Sequence, residues 1–320
     1  MPLTETQLAQ IRRYCEHAGR VRQHVLERFV GPAGVVDQLL VSLLAGGHVL
    51  LSGPPGVGKS LLLKLVADGF GLRFQRLHFT PDMTLADVAA ANAGAEAGPF
   101  AAHVLLADQF EAAAPKVRAA LIQALDDGQL PLAGQVWQLP KPHLLAATRN
   151  PLEFAEESGL SQVERERFLT DLRLPYPDAA SERKLLDCPM PSAARSPVAV
   201  AASDLLEWQL LVPQLDVEPA AKAYATELVR ASRPATPEAA DFVDKWLAWG
   251  VGPPGLVALG RVARAHAMLQ GRTTATTDDV LWAARPALRH RVEGNDAAKA
   301  GNLTHDQIVK MLLEAVRPEA

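Results

Sequence analysis

The segment Gly53-Pro54-Pro55-Gly56-Val57-Gly58-Lys59-Ser60 constrains this chain more than any other stretch, because it fits the spacing GxxxxGK[ST]. The apolar run His48 to Leu51 before it reads as a short buried strand and Leu61 to Phe70 after it as a helix, which is the context such a loop requires. Each residue type answers a physical demand. Glycines let backbone N–H groups wrap phosphates, and the helix N-terminus adds positive potential. Lys59 neutralises charge, and the Ser60 hydroxyl is a magnesium ligand. The competing reading is a glycine turn that merely caps a helix. On the phosphate reading, Gly53, Pro54, Pro55, Gly56, Val57, Gly58, Lys59, Ser60 and Leu61 contact a nucleoside triphosphate such as ATP, with Mg2+ as its partner ion.

Further buried strands are predicted over 73–79, 104–107 and 143–148, with a helix over 115–125 and others between the strands. Alternating strands and helices imply a parallel sheet with helices on both faces. Residues 5–30 read as an amphipathic leading helix ended by Gly31-Pro32, and 35–44 as a second helix. Around Asp178 the pattern changes, and the stretch Cys188 to Pro197 is too rich in proline for regular structure. Beyond it, helices are predicted over 204–212, 218–231, 237–249, 256–270 and 277–291, without strand signals. Thr236-Pro237-Glu238 and Thr277-Asp278-Asp279 carry helix-start chemistry. The expected class is α/β: a P-loop core over 1–180, a linker over 181–202 and an all-helical lid over 203–320.

Composition agrees with this division and excludes other classes. A chain of 320 residues suits two domains. Hydrophobic residues at 48% and charged residues at 21% describe an ordinary globular protein rather than a disordered one. A net charge of -4 offers no general basic field, so nucleic acid is not the expected partner. Met1 to Gln10 lacks a signal-peptide pattern and no run reaches the roughly 18 apolar residues of a membrane span, so a cytoplasmic location is expected. Cys15 and Cys188 stand far apart without ligand spacing, which favours two reduced thiols over a disulfide or metal site.

A second acid completes the metal chemistry. Phe100 to Asp108 is an apolar run ending in a carboxylate, where a P-loop fold places the Asp that orients magnesium; a helix cap is the bland alternative. Ser60 and Asp108 are therefore the expected metal residues. At this point the chain resembles the MoxR family of AAA+ ATPases over essentially its whole length. The resemblance rests on Leu43 to Leu51, the phosphate loop, Phe79-Thr80-Pro81-Asp82-Met83 through Asp87-Val88, Gly98-Pro99-Phe100 and Leu105-Leu106-Ala107-Asp108. Later matches are Ala147-Thr148-Arg149-Asn150-Pro151, Glu166-Arg167-Phe168-Leu169 and Leu288-Arg289-His290-Arg291.

The resemblance implies roles for further residues. Similar proteins carry Glu directly after the magnesium Asp, where it polarises the attacking water, and this chain carries Gln109. An amide cannot take a proton as a carboxylate does, and loss of a positioned base costs about 10²- to 10⁴-fold in rate. A natural binding-only subunit, an engineered substitution that traps ATP, and a compensating acid such as Glu111 are all compatible with the sequence. Asn150 matches the sensor that contacts the γ-phosphate or attacking water, against a simple turn. Arg167 matches the arginine finger that reaches a neighbour's nucleotide, with Arg165 close by as a rival. The Pro-Arg pair that supplies a second sensor in the lid of similar proteins is here Pro253-Pro254, and Arg261 or Arg264 could stand in.

The function so implied is an ATP-binding, chaperone-like remodeller or activator of a partner enzyme complex, with weak or absent hydrolysis because of Gln109 and Pro254. It would work as a homo-oligomeric ring, by resemblance a hexamer, on a protein client and with a partner carrying a von Willebrand factor A domain. Thr80 to Val88 would touch the client or form a structural turn. The alternatives are a fully active ATP-hydrolysing motor and a nucleotide-gated scaffold.

Overall fold

A computed structural model of the protein describes residues 3–88, 99–132, 135–149, 159–187 and 200–318. The chain divides into two compact units, one of residues 16–167 and 172–208, the other of residues 1–15, 168–171 and 209–320.

The first unit is organised by strands too apolar to meet water on either face. Val49–Ser52 (β1), Val104–Asp108 (β3) and Leu144–Arg149 (β6) are buried along nearly their whole length, as expected of strands covered by helices on both sides. With Phe74–His78 (β2) and Thr170–Arg173 (β7), of which Leu172 and Arg173 fall in this unit, they form a five-stranded sheet in the order β2-β3-β6-β1-β7. The β2–β3, β3–β6 and β6–β1 pairs are parallel, with His78 beside Asp108, Ala107 beside Ala147 and Leu51 beside Thr148. The register brings the C-terminal ends of neighbouring strands to one rim, where open parallel sheets bind ligands. Helices Ala33–Leu44, Lys59–Gly69 and Pro115–Asp127 belong to the same unit. Pro115 opens the last of these at a position where its missing N–H costs nothing. A hairpin that the sequence reading does not contain, Gln129–Leu132 (β4) with Gln135–Gln138 (β5), follows left-handed Gly128.

The second unit is predominantly helical, with Pro219–Ala231, Pro253–Leu269, Thr277–Leu288, Asp296–Ala300 and His305–Ala315. Leu228, Leu259, Val262, Met268, Val280, Leu288, Ile308 and Leu312 fill its core. Two corrections apply here. Short ladders join Thr274–Ala275 to Asp216–Val217 and Glu293–Gly294 to Leu247–Trp249, where no strand was expected. The helix expected over 237–249 shrinks to Val243–Trp246. The reason is local: Ala235 adopts a left-handed φ of 57°, its N–H bonds to Asp244 Oδ1, and Thr236 turns its hydroxyl back to the carbonyl of Arg233 instead of capping.

The anticipated linker overlaps a helix, Ala179–Asp187, and Cys188 with the rest of the Pro-rich stretch to 199 lies outside the described residues. Cys15 donates its thiol to the carbonyl of Met268 at 2.9 Å. Among the described residues no helix is long and apolar enough to cross a membrane.

Candidate functional site

The phosphate loop leaves β1 at Ser52 and enters the helix Lys59–Gly69 through Gly58. Gly56 and Gly58 hold φ values of 82° and 88°, a region that glycine enters without the penalty of a Cβ. Left-handed residues leading into a helix N-terminus are the kind of backbone in which N–H groups can form an anion-binding nest. Gly53 is required for a different reason: a Cβ there would lie 2.2 Å from the carbonyl oxygen of Leu174, which follows β7. Lys59 donates through Nζ to the carbonyls of Gly53 and Pro54, which keeps its charge over the loop.

A cavity of about 450 Å³ opens against this loop, lined by Pro55, Gly56, Gly58, Lys59, Ser60, Leu61, Arg76, His78, Asp108, Gln109 and Thr148. Its size falls in the range of small-molecule sites. Six of the nine residues predicted to contact nucleotide line it. Gly53 and Pro54 serve instead as acceptors for Lys59, and Val57 is packed inward. Lys59 and Arg76 outnumber Asp108 in formal charge, so the lining favours a polyanion.

Asp108 is the most engaged group at the rim. Its Oδ1 accepts from the Thr148 hydroxyl at 2.9 Å, and the Thr148 oxygen accepts from the Gln109 N–H at 2.8 Å. Its Oδ2 accepts both Nε–H, at 3.0 Å, and Nη2–H of Arg76, with His78 Nδ1 at 3.4 Å. Partial burial pushes the Asp108 carboxyl up, but the Arg76 and Thr148 hydrogen bonds outweigh it and hold the group below the usual carboxylate range. Gln109 itself sits in the left-handed region, with φ 55° and ψ 41°, unusual for a residue with a side chain. The residue lines the cavity next to Asp108.

Ser60 and Asp108 share the cavity wall, and magnesium needs only one or two protein oxygens when phosphate oxygens and water complete its shell. The residues present therefore fit a magnesium–nucleotide pair. Glu111, considered as a replacement base, is buried and ion-paired to Arg149 at 2.7 Å, and it does not line the cavity. Asn150, next in sequence to Arg149, lies outside the described residues.

Arg165 and Arg167 separate cleanly. Arg165 is buried in the short helix Gln162–Arg165, whereas Arg167 is half-exposed and bonds Asp126 at 2.7 Å on the helix Pro115–Asp127. Away from the cavity, Arg118 ties the segment after Gln109 to that short helix: it donates to the carbonyls of Glu111 and Ala113 and, at 2.8 Å, to Glu164. Glu164 in turn completes a capping box with Ser161. In the second unit, Pro253 and Pro254 occupy the first turn of Pro253–Leu269, and Arg264 spends its guanidinium on the carbonyls of Leu215 and Gly260. Arg261 is exposed on the same helix. His290 and Arg291 bond the carbonyls of Phe168 and Leu169, which accounts for that basic run without a ligand.

Three lining residues, Arg76, His78 and Thr148, are given no site role by the sequence alone. The signal in the sequence is slight: Arg76 and His78 flank apolar Leu77, but Gln75 is polar as well, so the strand shows no clean two-residue alternation.

Comparison with known proteins agrees with this architecture. Residues 48–170 match the ATPase family associated with various cellular activities (AAA), and residues 240–311 match the AAA lid domain. A solved structure from Cytophaga hutchinsonii, provisionally described as an ATPase, superposes with a TM-score of 0.82 at 26% identity and covers 98% of each chain. Protein MoxR of Methylorubrum extorquens is 26% identical, covering 86% of this chain and 87% of its own. Chaperone MoxR1 of Mycobacterium tuberculosis is 30% identical over 309 residues, 92% of this chain and 82% of the relative. A likeness of that extent, carried through core and lid alike, places the chain by descent: it belongs to the MoxR family of AAA+ ATPases.

Proposed function

We propose that this member of the family binds ATP with magnesium at the loop Gly53–Leu61, with Ser60 and Asp108 holding the metal, and hydrolyses it slowly or not at all. The observation that carries the reading is Gln109 beside Asp108 in the cavity wall. Bound magnesium would offset phosphate charge and polarise the γ-phosphoryl group. Lys59 and the loop amides orient the phosphates. Gln109 can hold a water by hydrogen bonding but cannot remove its proton. Glu111 is committed to Arg149, which argues against a compensating base. Pro254 offers the nucleotide no charge from the lid.

On this reading the chain is an ATP-responsive, chaperone-like subunit of a homo-oligomeric, hexameric ring in which Arg167 addresses the neighbouring nucleotide, as the chaperone designation of one relative supports. Its exposure and its exchangeable partner Asp126 leave it available for that role. A protein client and a partner with a von Willebrand factor A domain complete the proposal. Steady-state hydrolysis should be near background and should rise at least about 10²-fold in Gln109→Glu, the worth of a positioned base. Turnover by the native chain at a rate that Gln109→Glu leaves unchanged would favour the ordinary motor instead. Sedimentation with and without ATP tests assembly, and a chain that stays monomeric would favour the nucleotide-gated scaffold.

A further inference from the structure

A carboxylate at the rim of a phosphate pocket poses an electrostatic problem before any metal arrives, because it repels the polyanion the loop attracts. In this chain the problem is solved by a neighbouring side chain. Arg76 and His78 lie two residues apart on β2, so they project to the same face of the sheet as Leu106 and Asp108 on β3. Arg76 places two N–H groups on the single oxygen Oδ2, while Thr148, whose oxygen accepts the backbone N–H of Gln109, donates to Oδ1. Both carboxylate oxygens are thus satisfied by the protein, and the charge is balanced.

We propose that Arg76 is a built-in counter-ion for Asp108, which lets this pocket take up a nucleoside triphosphate without a divalent cation and which the cation must displace to reach the carboxylate. The inference rests on the cavity being the nucleotide site. Its reversibility follows from the exposure of the arginine: Arg76 is 54% exposed while Asp108 is only 15% exposed, so it is the guanidinium, in water, that can swing off the carboxylate. Pairs of this kind are worth roughly two- to fivefold in an equilibrium. Arg76 would therefore raise the magnesium requirement by about that factor. It would also strengthen metal-free binding by about fivefold, the scale of one close charge pair in water. For a subunit that senses ATP rather than consuming it, uptake would then depend little on the cation.

The test is calorimetric titration of the full chain with ATP, in EDTA and across magnesium concentrations, for the native protein and for Arg76→Gln, Arg76→Lys and Lys59→Ala. The native chain should bind ATP in EDTA. Arg76→Gln should weaken that binding by about fivefold and at the same time lower the magnesium concentration at half-saturation by roughly two- to fivefold. Arg76→Lys, which keeps the charge, should preserve metal-free binding. Opposite movement of the two quantities is something a purely structural ion pair would not produce. Equal metal-free affinities in native protein and Arg76→Gln, or an unchanged magnesium requirement, would overturn the proposal. Failure of the native chain to bind ATP even with magnesium, or unimpaired binding by Lys59→Ala, would remove the nucleotide site itself and the inference with it.

Discussion

Arg118→Ala is expected to be among the most destabilising single changes in the first unit. The guanidinium is nearly buried, with side-chain exposure of 11%, and faces Glu164 at 15%. It donates to Glu164 Oε1 at 2.8 Å and to the carbonyls of Glu111 at 3.0 Å and Ala113 at 2.9 Å. Truncation leaves the mostly buried Glu164 carboxylate with no counter-charge from Arg118 and only its Ser161 bonds, and it takes a donor from two carbonyls. Breaking a buried pair from one side costs about 3–5 kcal/mol. For a unit of this size each kcal/mol moves the midpoint by about 2–4 °C, so the thermal transition should fall by ~10 °C. Arg230→Ala is the control, because the Arg230–Glu238 pair is about half exposed on both sides and should shift the melt by less than about 1 kcal/mol's worth. Differential scanning calorimetry with ATP absent measures both. A fall of under ~2 °C for Arg118→Ala would refute the reasoning, since it would mean the three acceptors find water at little cost.

Gly53→Ala should cost ~2 kcal/mol or more and weaken ATP binding together, because the new methyl group meets the Leu174 carbonyl at 2.2 Å and the loop must shift; a native-like melt with native affinity would contradict this. Stability should also fall on mild acidification through His143. Burial pushes its pKa down to about 4 from 6.5, helped by neighbouring His103 and opposed by the bond of Nδ1–H to the Ala102 carbonyl, and its buried Nε2 has no hydrogen-bond partner among the described residues. With the folded pKa below the unfolded one, the unfolded chain takes the proton first, so stability drops as pH goes from above 6.5 toward 4, by ~3 kcal/mol in total. Urea midpoints across that range should show the loss, and His143→Asn should flatten it. In the second unit Asp279→Asn should lose ~3 kcal/mol, because fully buried Asp279 accepts two bonds from Arg272, one from His266 and the N–H of Thr276; hydrogen exchange over 253–288 reads it, and native protection in the variant would exclude the argument.

What could be read from the residues, and what could not, follows the range of the interactions. The phosphate loop is legible because its constraints are local: glycine torsions, a helix start and a lysine within eight consecutive positions. Asp108 is legible because an apolar strand ends there. Arg76 and Thr148 join Asp108 only through the order β2-β3-β6, a long-range fact that no spacing encodes. Glu111 looked available as a base because proximity in sequence says nothing of Arg149, which the fold brings to it from 38 residues away. The helix over 237–249 failed for a different reason. The Thr-Pro-Glu start was a genuine local signal, but left-handed Ala235 and the pairing of Leu247–Trp249 with Glu293–Gly294 overrode it.

The placement of β2 carries one more implication. It is the terminal strand of the sheet among the described residues, and the outer edge of such a strand can template a stray strand from another copy. Gln75, Arg76 and His78 are its exposed residues, so the edge presents cationic and polar groups where an apolar one would recruit neighbours. Substitutions that make this edge apolar would therefore be expected to raise the hazard of self-association during expression and storage.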